Sequence, residues 1–288
     1  MRKLSYKTNK INNTNFLTLL IPFSLWIFLL IVLPHIELIK YSFSKKTGEF
    51  TLGNYLHFFK NTLYLNTYIR SAIFSLIVTC ITFLLGFPLA FFVTKMATPK
   101  LRNIVMLLII LPFWISELIQ VFAWVVMMRE TGIISYFFQK IGLSSHNIEL
   151  LYNDIAIGVG LVYTSILFMV IPIISTLSTL DDSLIEAAYD LGASFWNVLT
   201  EVAIPYAAPG IATGSIMVFM LTLGNFISVT LLGGKNSLWF TEQIYNQFIL
   251  RFNWHQGSAF GILLLILSSL LVWGGLKITK QGMAEVLK

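Results

Sequence analysis

The stretch that decides the fold of this chain is DDSLIEAAYDLGASFWNVLTEVAIP, residues 181–205, which separates two apolar segments. Asp181 or Asp182 can cap a first short helix, and Gly192 can end that helix in the left-handed conformation. Ser194 can cap a second helix, which has to bend or stop near Pro205 because proline lacks an amide proton. The stretch therefore predicts a compact hairpin of two short helices.

The composition of the whole chain excludes a soluble enzyme. Of its 288 residues, 57% are hydrophobic and 11% are charged, and the mean hydropathy is +0.80. A single domain of this size cannot bury that much apolar surface in its own core, so lipid has to be the solvent for most of it. The net charge of +6 is too small for a nucleic-acid footprint. A single cysteine, Cys80, and scattered histidines give no disulfide and no metal site.

The apolar stretches predict an all-α membrane protein with six transmembrane helices. Each span needs about 20 mainly apolar residues. One membrane domain, residues 16–278, then lies between a basic tail (1–15) and a short C-terminal tail (279–288), with the hairpin in a loop at about 177–208. The predicted spans are Phe16–Leu33, Ser71–Val93, Ile104–Met127, Ile155–Thr176, Pro209–Leu232 and Ala259–Ile278.

The distribution of Lys and Arg predicts the orientation in the membrane. The two tails and the link between spans two and three are densely basic, which is typical of cytoplasmic segments. The hairpin falls on the same side, yet it carries five acidic residues and no Lys or Arg. An anionic leaflet would repel it, so we expect it to face water or a protein. An amphipathic hairpin lying on the bilayer surface is the alternative.

The spacing within the hairpin carries a family resemblance. Glu186–Ala188 reads Glu-Ala-Ala and is followed by three residues, Gly192, nine residues, an aliphatic residue, any residue, and Ile204-Pro205. This pattern resembles the signature loop of ABC importer permeases, with a closer likeness to the first permease subunit of spermidine/putrescine importers. Further matching segments are Phe50–Tyr55, Gly86–Ala90, Leu111–Trp114, Leu223–Gly234, Asn246–Phe248 and Asn253–Gly257. The family usually has other residues where this chain has Gln120, Tyr189 and Asn225.

The resemblance implies a type I ABC importer permease fold in the inner membrane of a bacterium, with both termini in the cytoplasm. It implies that the chain forms half of a pore for polyamines, and that a second homologous permease completes it. A cytoplasmic ATPase dimer would use ATP and Mg²⁺, and an extracytoplasmic binding protein would deliver the solute. This chain would bind no cofactor and would not be an enzyme, since it lacks a phosphate-binding loop. The residues implied to couple it to the ATPase are Glu186, Ala187, Ala188, Gly192 and Pro205.

Polar residues within the spans predict the substrate pathway, because such residues are costly in lipid and tend to face the bundle interior. Glu117 and Gln120 lie about midway along the predicted third span, and Asn225 lies in the fifth. A carboxylate among aromatic rings can attract a chain of ammonium groups by charge and by cation–π contact. The alternatives are that Glu117 only packs against a neighbour and that Asn225 only joins two helices. The aromatic candidates are Trp114, Trp124 and Tyr163.

Three other functions remain open at this point. Six spans with proline kinks and a buried carboxylate also fit a secondary transporter driven by an ion gradient. An ABC permease for another small solute, such as another organic cation, an amino acid or a metal complex, is also compatible with the residues. A membrane scaffold that transports nothing would need neither Glu117 nor Asn225.

Overall fold

The computed structural model describes residues 13–143, 146–234 and 237–278, and over these residues the chain is helical, without a β-strand. Most of the predicted N-terminal tail and the whole of the C-terminal tail, 279–288, lie outside the described residues. The α-helices are, in chain order, α1 Asn13–Ile27, α2 Leu33–Ser42, α3 Gly53–Lys60, α4 Thr62–Phe91, α5 Pro99–Ile110, α6 Glu117–Met128, α7 Ile133–Lys140, α8 Asp154–Leu177, α9 Asp182–Asp190, α10 Phe195–Asn197, α11 Ile204–Tyr206, α12 Ala208–Leu223, α13 Ile227–Gly233, α14 Phe240–Tyr245 and α15 Trp254–Ile278.

Shorter helical segments join several of these helices. Of those that lie wholly within the described residues, four have π-helical hydrogen bonding and one is a 3₁₀ helix. The π segment Phe28–Val32 makes α1 and α2 one long rod, and Val198–Ala203 does the same for α10 and α11. The others are the π segments Phe92–Met96 and Asn246–Leu250 and the 3₁₀ helix Leu111–Trp114.

Within the described residues, five helical stretches are long and apolar enough to cross a bilayer. A sixth crossing results if the helix pair Phe195–Tyr206 and Ala208–Leu223, whose axes differ by 73°, forms one bent span. This agrees with an all-α fold of up to six spans. The five stretches are Leu20–Ser42, Thr62–Met96, Glu117–Lys140, Asp154–Leu177 and Trp254–Lys277.

Two predicted spans differ from the structure because they are not continuous helices. The third, Ile104–Met127, is interrupted by the 3₁₀ helix Leu111–Trp114, and a new helix begins at Glu117. The fifth, Pro209–Leu232, stops at Leu223 and resumes at Ile227. Pro112 explains part of the first interruption, since it cannot donate a helical hydrogen bond. The second interruption begins at Gly224, a residue with a low helix propensity.

The first two spans are longer than predicted. The first continues past Pro34 to Ser42, because the preceding π segment shifts the hydrogen-bond register where proline lacks a donor. The second begins at Thr62 rather than Ser71, since its polar first turns are buried and hydrogen-bonded: Ser71 Oγ donates to the carbonyl of Thr67 over 2.8 Å.

The core lies where α4, α8 and α12 cross. Glycines permit the close approach of these helices: a Cβ atom on Gly210 of α12 would lie 2.4 Å from the carbonyl oxygen of Pro172 in α8. Gly86 of α4 and Gly214 of α12 both face Met169 of α8 in the same way. Small residues of this kind are the usual means of packing helices tightly in membranes. By contrast, the rod formed by α1 and α2 is exposed along most of its length and packs mainly against α15.

The predicted hairpin is confirmed in its geometry. The amide of Ser183 donates to Asp181 Oδ1 over 3.0 Å, which caps α9, and Gly192 has a φ of +85°. Ser194 accepts from the amide of Asn197 over 3.3 Å and caps the second helix, Phe195–Tyr206. This helix runs just past Pro205 before the chain bends. The hairpin marks one end of the bundle, which we call the hairpin end.

Candidate functional site

Glu117 and Asn225 meet where the two interrupted spans face each other. Asn225 Nδ2 donates to Glu117 Oε1 over 2.6 Å, and Ser228 Oγ donates to the same oxygen over 3.0 Å. The amide of Ser228 donates to Asn225 Oδ1 over 2.9 Å. The carboxylate is half-buried, and Ser228 is fully buried. The first residue of α6 is thereby tied to the break before α13.

Gln120 closes the other break. Its Nε2 donates to the carbonyl of Pro112 over 2.6 Å and to that of Ile115 over 2.8 Å. The Pro112 carbonyl also accepts from the backbone amide of Ile115 over 3.0 Å, so Gln120 adds a second hydrogen bond there and a partner for the Ile115 carbonyl. Unpaired backbone groups are costly away from water. The side-chain amide of Gln120 therefore stabilises the helix break that precedes Glu117. The sequence did not reveal this role.

A cavity of about 580 Å³ opens between the two breaks and α8. Its wall combines the Glu117 carboxylate with amides, hydroxyls and the rings of Phe113, Phe168 and Phe226. We call it the Glu117 cavity. The polar residues in its wall are Ser116, Glu117, Gln120, Thr164, Ser165, Thr222 and Asn225.

Of the three predicted aromatic residues, Trp124 and Tyr163 lie next to the Glu117 cavity and Trp114 does not. Trp124 and Tyr163 contact each other edge to face, with ring centroids 5.4 Å apart, and line a neighbouring cavity of about 340 Å³ that shares Gln120 with the Glu117 cavity. Trp114 is 84% exposed and does not line the Glu117 cavity. Its position at the end of the 3₁₀ helix turns its ring outward, so the structure separates it from the other candidates.

A second large cavity, which sequence reasoning missed, lies at the opposite end from the hairpin. It has a volume of about 860 Å³ and is lined by Glu242, Tyr152 and Tyr245, among others. Phe226 stacks on Tyr245 with centroids 4.8 Å apart and lines both this cavity and the Glu117 cavity. We call it the Glu242 cavity. The only signal in the sequence was an acidic residue in an otherwise apolar segment, and Glu242 Oε2 also caps α14 through the amide of Trp239.

The hairpin presents the candidate coupling residues at the surface. Glu186, Ala187 and Gly192 are exposed, whereas Ala188 is partly buried. Pro205 is exposed at the base of the hairpin. The apolar residues Leu191 and Trp196 are exposed by 89% and 69%. Exposed apolar side chains that lie together often mark an interaction surface.

The base of the hairpin is anchored firmly. The hydroxyl of Tyr206 donates to the carbonyl of Thr179 over 2.9 Å, and Phe195 contacts Phe91 of α4 edge to face. Hydrogen bonds from the backbone and side chain of Ser183 hold the pKa of Asp181 below its usual range, and the charge of Lys95 adds to this effect. The cap of α9 is therefore an ionised carboxylate at ordinary pH.

An all-helical membrane bundle, with a polar cavity at two helix breaks and an exposed rigid hairpin at one end, defines a membrane subunit of a transport system. The chain belongs to the family of binding-protein-dependent transport system inner membrane components, whose sequence profile matches residues 83–283. It is a permease subunit of an ABC importer, in which a partner subunit hydrolyses ATP. This membership separates it from carriers that run on ion gradients.

Curated relatives resemble the chain over most of its length. The spermidine/putrescine transport system permease protein PotB of Haemophilus influenzae is 35% identical over 272 residues, covering 92% of this chain and 94% of that protein. PotB of Escherichia coli is 32% identical and covers 86% and 91%. The inner membrane ABC transporter permease protein YdcU of Escherichia coli is 30% identical and covers 78% and 74%.

A solved structure confirms the fold. A chain from a bacterial ABC transporter involved in the import of the acidic polysaccharide alginate superposes with a TM-score of 0.73 at 19% identity, covering 94% of this chain and 96% of the other. A chain from a bacterial alginate ABC transporter in complex with an alginate pentasaccharide-bound periplasmic protein gives the same TM-score at 20% identity, covering 95% of this chain and 98% of the other.

Proposed function

We propose that this chain forms half of the pore of an ATP-driven importer of polyamines such as spermidine and putrescine. The observation that carries the substrate class is the Glu117 carboxylate, held at the junction of two helix breaks in the wall of a cavity. The PotB proteins, which are 30–35% identical to this chain and are named as spermidine/putrescine permeases, support the same substrate.

The chemistry of the Glu117 cavity suits a flexible cation. Both hydrogen bonds that Glu117 receives end on Oε1, and among the described residues none involves Oε2. An ammonium group can therefore bind the carboxylate by a charge-assisted hydrogen bond without displacing Asn225. Aromatic faces such as that of Phe226 add cation–π attraction, which is moderate enough to allow release.

The two cavities suggest an order of passage. The Glu242 cavity lies opposite the hairpin and holds a carboxylate with Tyr152 and Tyr245, so it suits the same ammonium groups. Phe226 forms part of both walls, and its movement away from Tyr245 would connect them. A solute released outside the cell would then reach the Glu242 cavity before the Glu117 cavity.

The proposal includes four partners and an orientation. A cytoplasmic ATPase dimer binds the hairpin and supplies the energy of ATP and Mg²⁺, a second homologous permease completes the pore, and an extracytoplasmic protein delivers the solute. The lipid bilayer surrounds the outer helices, and both termini lie in the cytoplasm with the hairpin. Closure of the ATPase dimer would move the capped hairpin as a rigid body and rock the helices around the cavity.

The test is reconstitution of the complete complex in proteoliposomes, with uptake of labelled spermidine and putrescine and the rate of ATP hydrolysis as readouts. We expect polyamines to stimulate hydrolysis only when the binding protein is present, and uptake to continue after ion gradients are dissipated. Arginine and choline serve as cations of different shape. Stimulation by one of these solutes and by neither polyamine would contradict the proposed substrate.

A further inference from the structure

Lys95 connects the second span to the hairpin. It lies in the π segment that ends α4, and its Nζ donates to the carbonyl of Leu180 over 2.5 Å and to Asp182 Oδ1 over 2.6 Å. The Lys95 side chain is 8% exposed, although that of Asp182 is 77% exposed. A lysine side chain that is this little exposed needs partners for its ammonium group, and Leu180 and Asp182 supply them. This contact is therefore part of the fold, unlike an ion pair between two exposed side chains.

The contact is not needed to start α9. Asp181 already caps this helix, and a cation beside a helix N-terminus opposes the helix dipole. Asp181 and Asp182 are the acidic groups that offset this effect. The charge of Lys95 disfavours α9 electrostatically. Its position therefore indicates a role other than the stability of this helix.

A second set of contacts holds Lys95 in place from the other side. Arg102 of α5 donates from Nε to the carbonyl of Val93 and from Nη2 to that of Thr94, each over 3.2 Å. The segment that carries Lys95 is thereby fixed to α5. This helix leads directly to the break before Glu117. A chain of contacts therefore runs from the hairpin through Lys95 and α5 to the cavity.

We infer that Lys95 is a positioning residue for energy coupling, which makes the hairpin move as one body with the ends of α4 and α5. The covalent path from the hairpin runs only through α8 and α12, so Lys95 supplies a separate path to the half of the cavity that carries Glu117. This inference rests on the proposed binding of the ATPase to the hairpin, because only then does the hairpin receive a displacement to transmit.

The first experiment measures the solute transported per ATP hydrolysed in the complete complex. For Lys95→Met we expect this ratio to fall by at least about fivefold, the low end of typical coupling between two sites, with the chain still inserted and assembled. Lys95→Arg keeps a cation that can reach both acceptors and should restore the ratio. Lys100→Met removes a charge from an exposed position on the same link and should leave the ratio unchanged.

The second experiment does not depend on the identity of the solute. In a Cys80→Ser background, spin labels replace Met96, which lies beside Lys95, and Leu191 at the tip of the hairpin; both positions are exposed. We expect one narrow distance, equal with and without bound ATP, and a broad distribution after Lys95→Met. Lys95→Gln replaces this variant if the methionine prevents insertion.

The outcomes separate the inference from the proposed substrate. A narrow distance that persists when Lys95 is replaced overturns the inference, and so does a ratio that remains at the parent value. A complex that no polyamine stimulates contradicts the proposed substrate, while the spin-label distance still decides the role of Lys95.

Discussion

Glu117 begins a helix and at the same time accepts hydrogen bonds from a neighbouring span. A carboxylate at a helix N-terminus interacts favourably with the helix dipole. The sequence identified this residue, together with Gln120 and Asn225, because polar groups in apolar segments are conspicuous. It could not predict that Gln120 hydrogen-bonds to the backbone at a helix break, because hydropathy does not show where a helix is interrupted.

Glu117→Gln removes the charge and retains an oxygen that can accept from Asn225 and Ser228. We expect polyamine uptake at low concentration to fall roughly fivefold, because a hydrogen bond to a charged group exceeds a neutral one by about 1 kcal/mol. The measurement is the initial rate of uptake in proteoliposomes. Glu130→Gln, at an exposed turn, is the matched control; equal rates for both variants would leave Glu117 with a packing role only.

Gly192 has a left-handed backbone, and a Cβ atom there would meet nothing within 4 Å. Replacement by valine therefore causes no steric clash with other residues. Its cost is the left-handed backbone conformation, which disfavours a residue with a Cβ atom by about 1–2 kcal/mol. We expect Gly192→Val to abolish uptake while the chain stays inserted. Gly192→Asn, which tolerates this conformation better, should retain part of the activity. Full uptake by the valine variant would contradict the need for a rigid hairpin.

At the scale of elements, the hairpin was predictable and the broken spans were not. Caps at Asp181 and Ser194 and the turn at Gly192 are local signals, and local hydrogen bonds realised each of them. The interruptions of the third and fifth spans depend on each other across the bundle, through Glu117 and Asn225. An apolar window of about 20 residues reports the length of a span but not whether its helix is continuous.

The crossing of α8 and α12 provides a test of packing at this scale. Gly210→Ala would place a methyl group 2.4 Å from the Pro172 carbonyl oxygen, and overpacking of this kind costs about 1–3 kcal/mol. Gly261→Ala is the control, because it lies in a helix with open space around it and alanine favours helix over glycine. We expect a lower midpoint of thermal unfolding in detergent for Gly210→Ala alone. Equal midpoints would contradict the close crossing.

At the scale of the whole molecule, the order of the helices places the last described residue, 278, on the same side as the hairpin. The helix α8 runs toward the hairpin and α15 runs in the same direction from the opposite end, so residue 278 lies at the hairpin end. The distribution of Lys and Arg alone gives a weaker argument for the membrane orientation, since lysines also cluster between the first two spans. The family profile indicates a location in the inner membrane but does not give the direction of insertion.

Cysteine labelling tests this orientation. In a Cys80→Ser background, Leu191→Cys lies on the hairpin and Phe252→Cys lies at the opposite end; both side chains are exposed. We expect a membrane-impermeant maleimide to label position 252 from outside the membrane. Position 191 should react only in inverted vesicles stripped of peripheral proteins. The reverse pattern would contradict a cytoplasmic hairpin.

The facing helix breaks also bear on leakage when no solute is present. Protons and small ions follow files of water, and such files form where backbone groups have no protein partner. Gln120 occupies the carbonyls of Pro112 and Ile115, and Asn225 occupies the amide of Ser228, so these backbone groups are not left for water. Under the proposed function, an ammonium group binds the carboxylate that Asn225 already holds, and neither existing hydrogen bond has to break. The same few side chains can thus limit the leakage of protons and small ions and, under the proposed function, still accept a cationic solute.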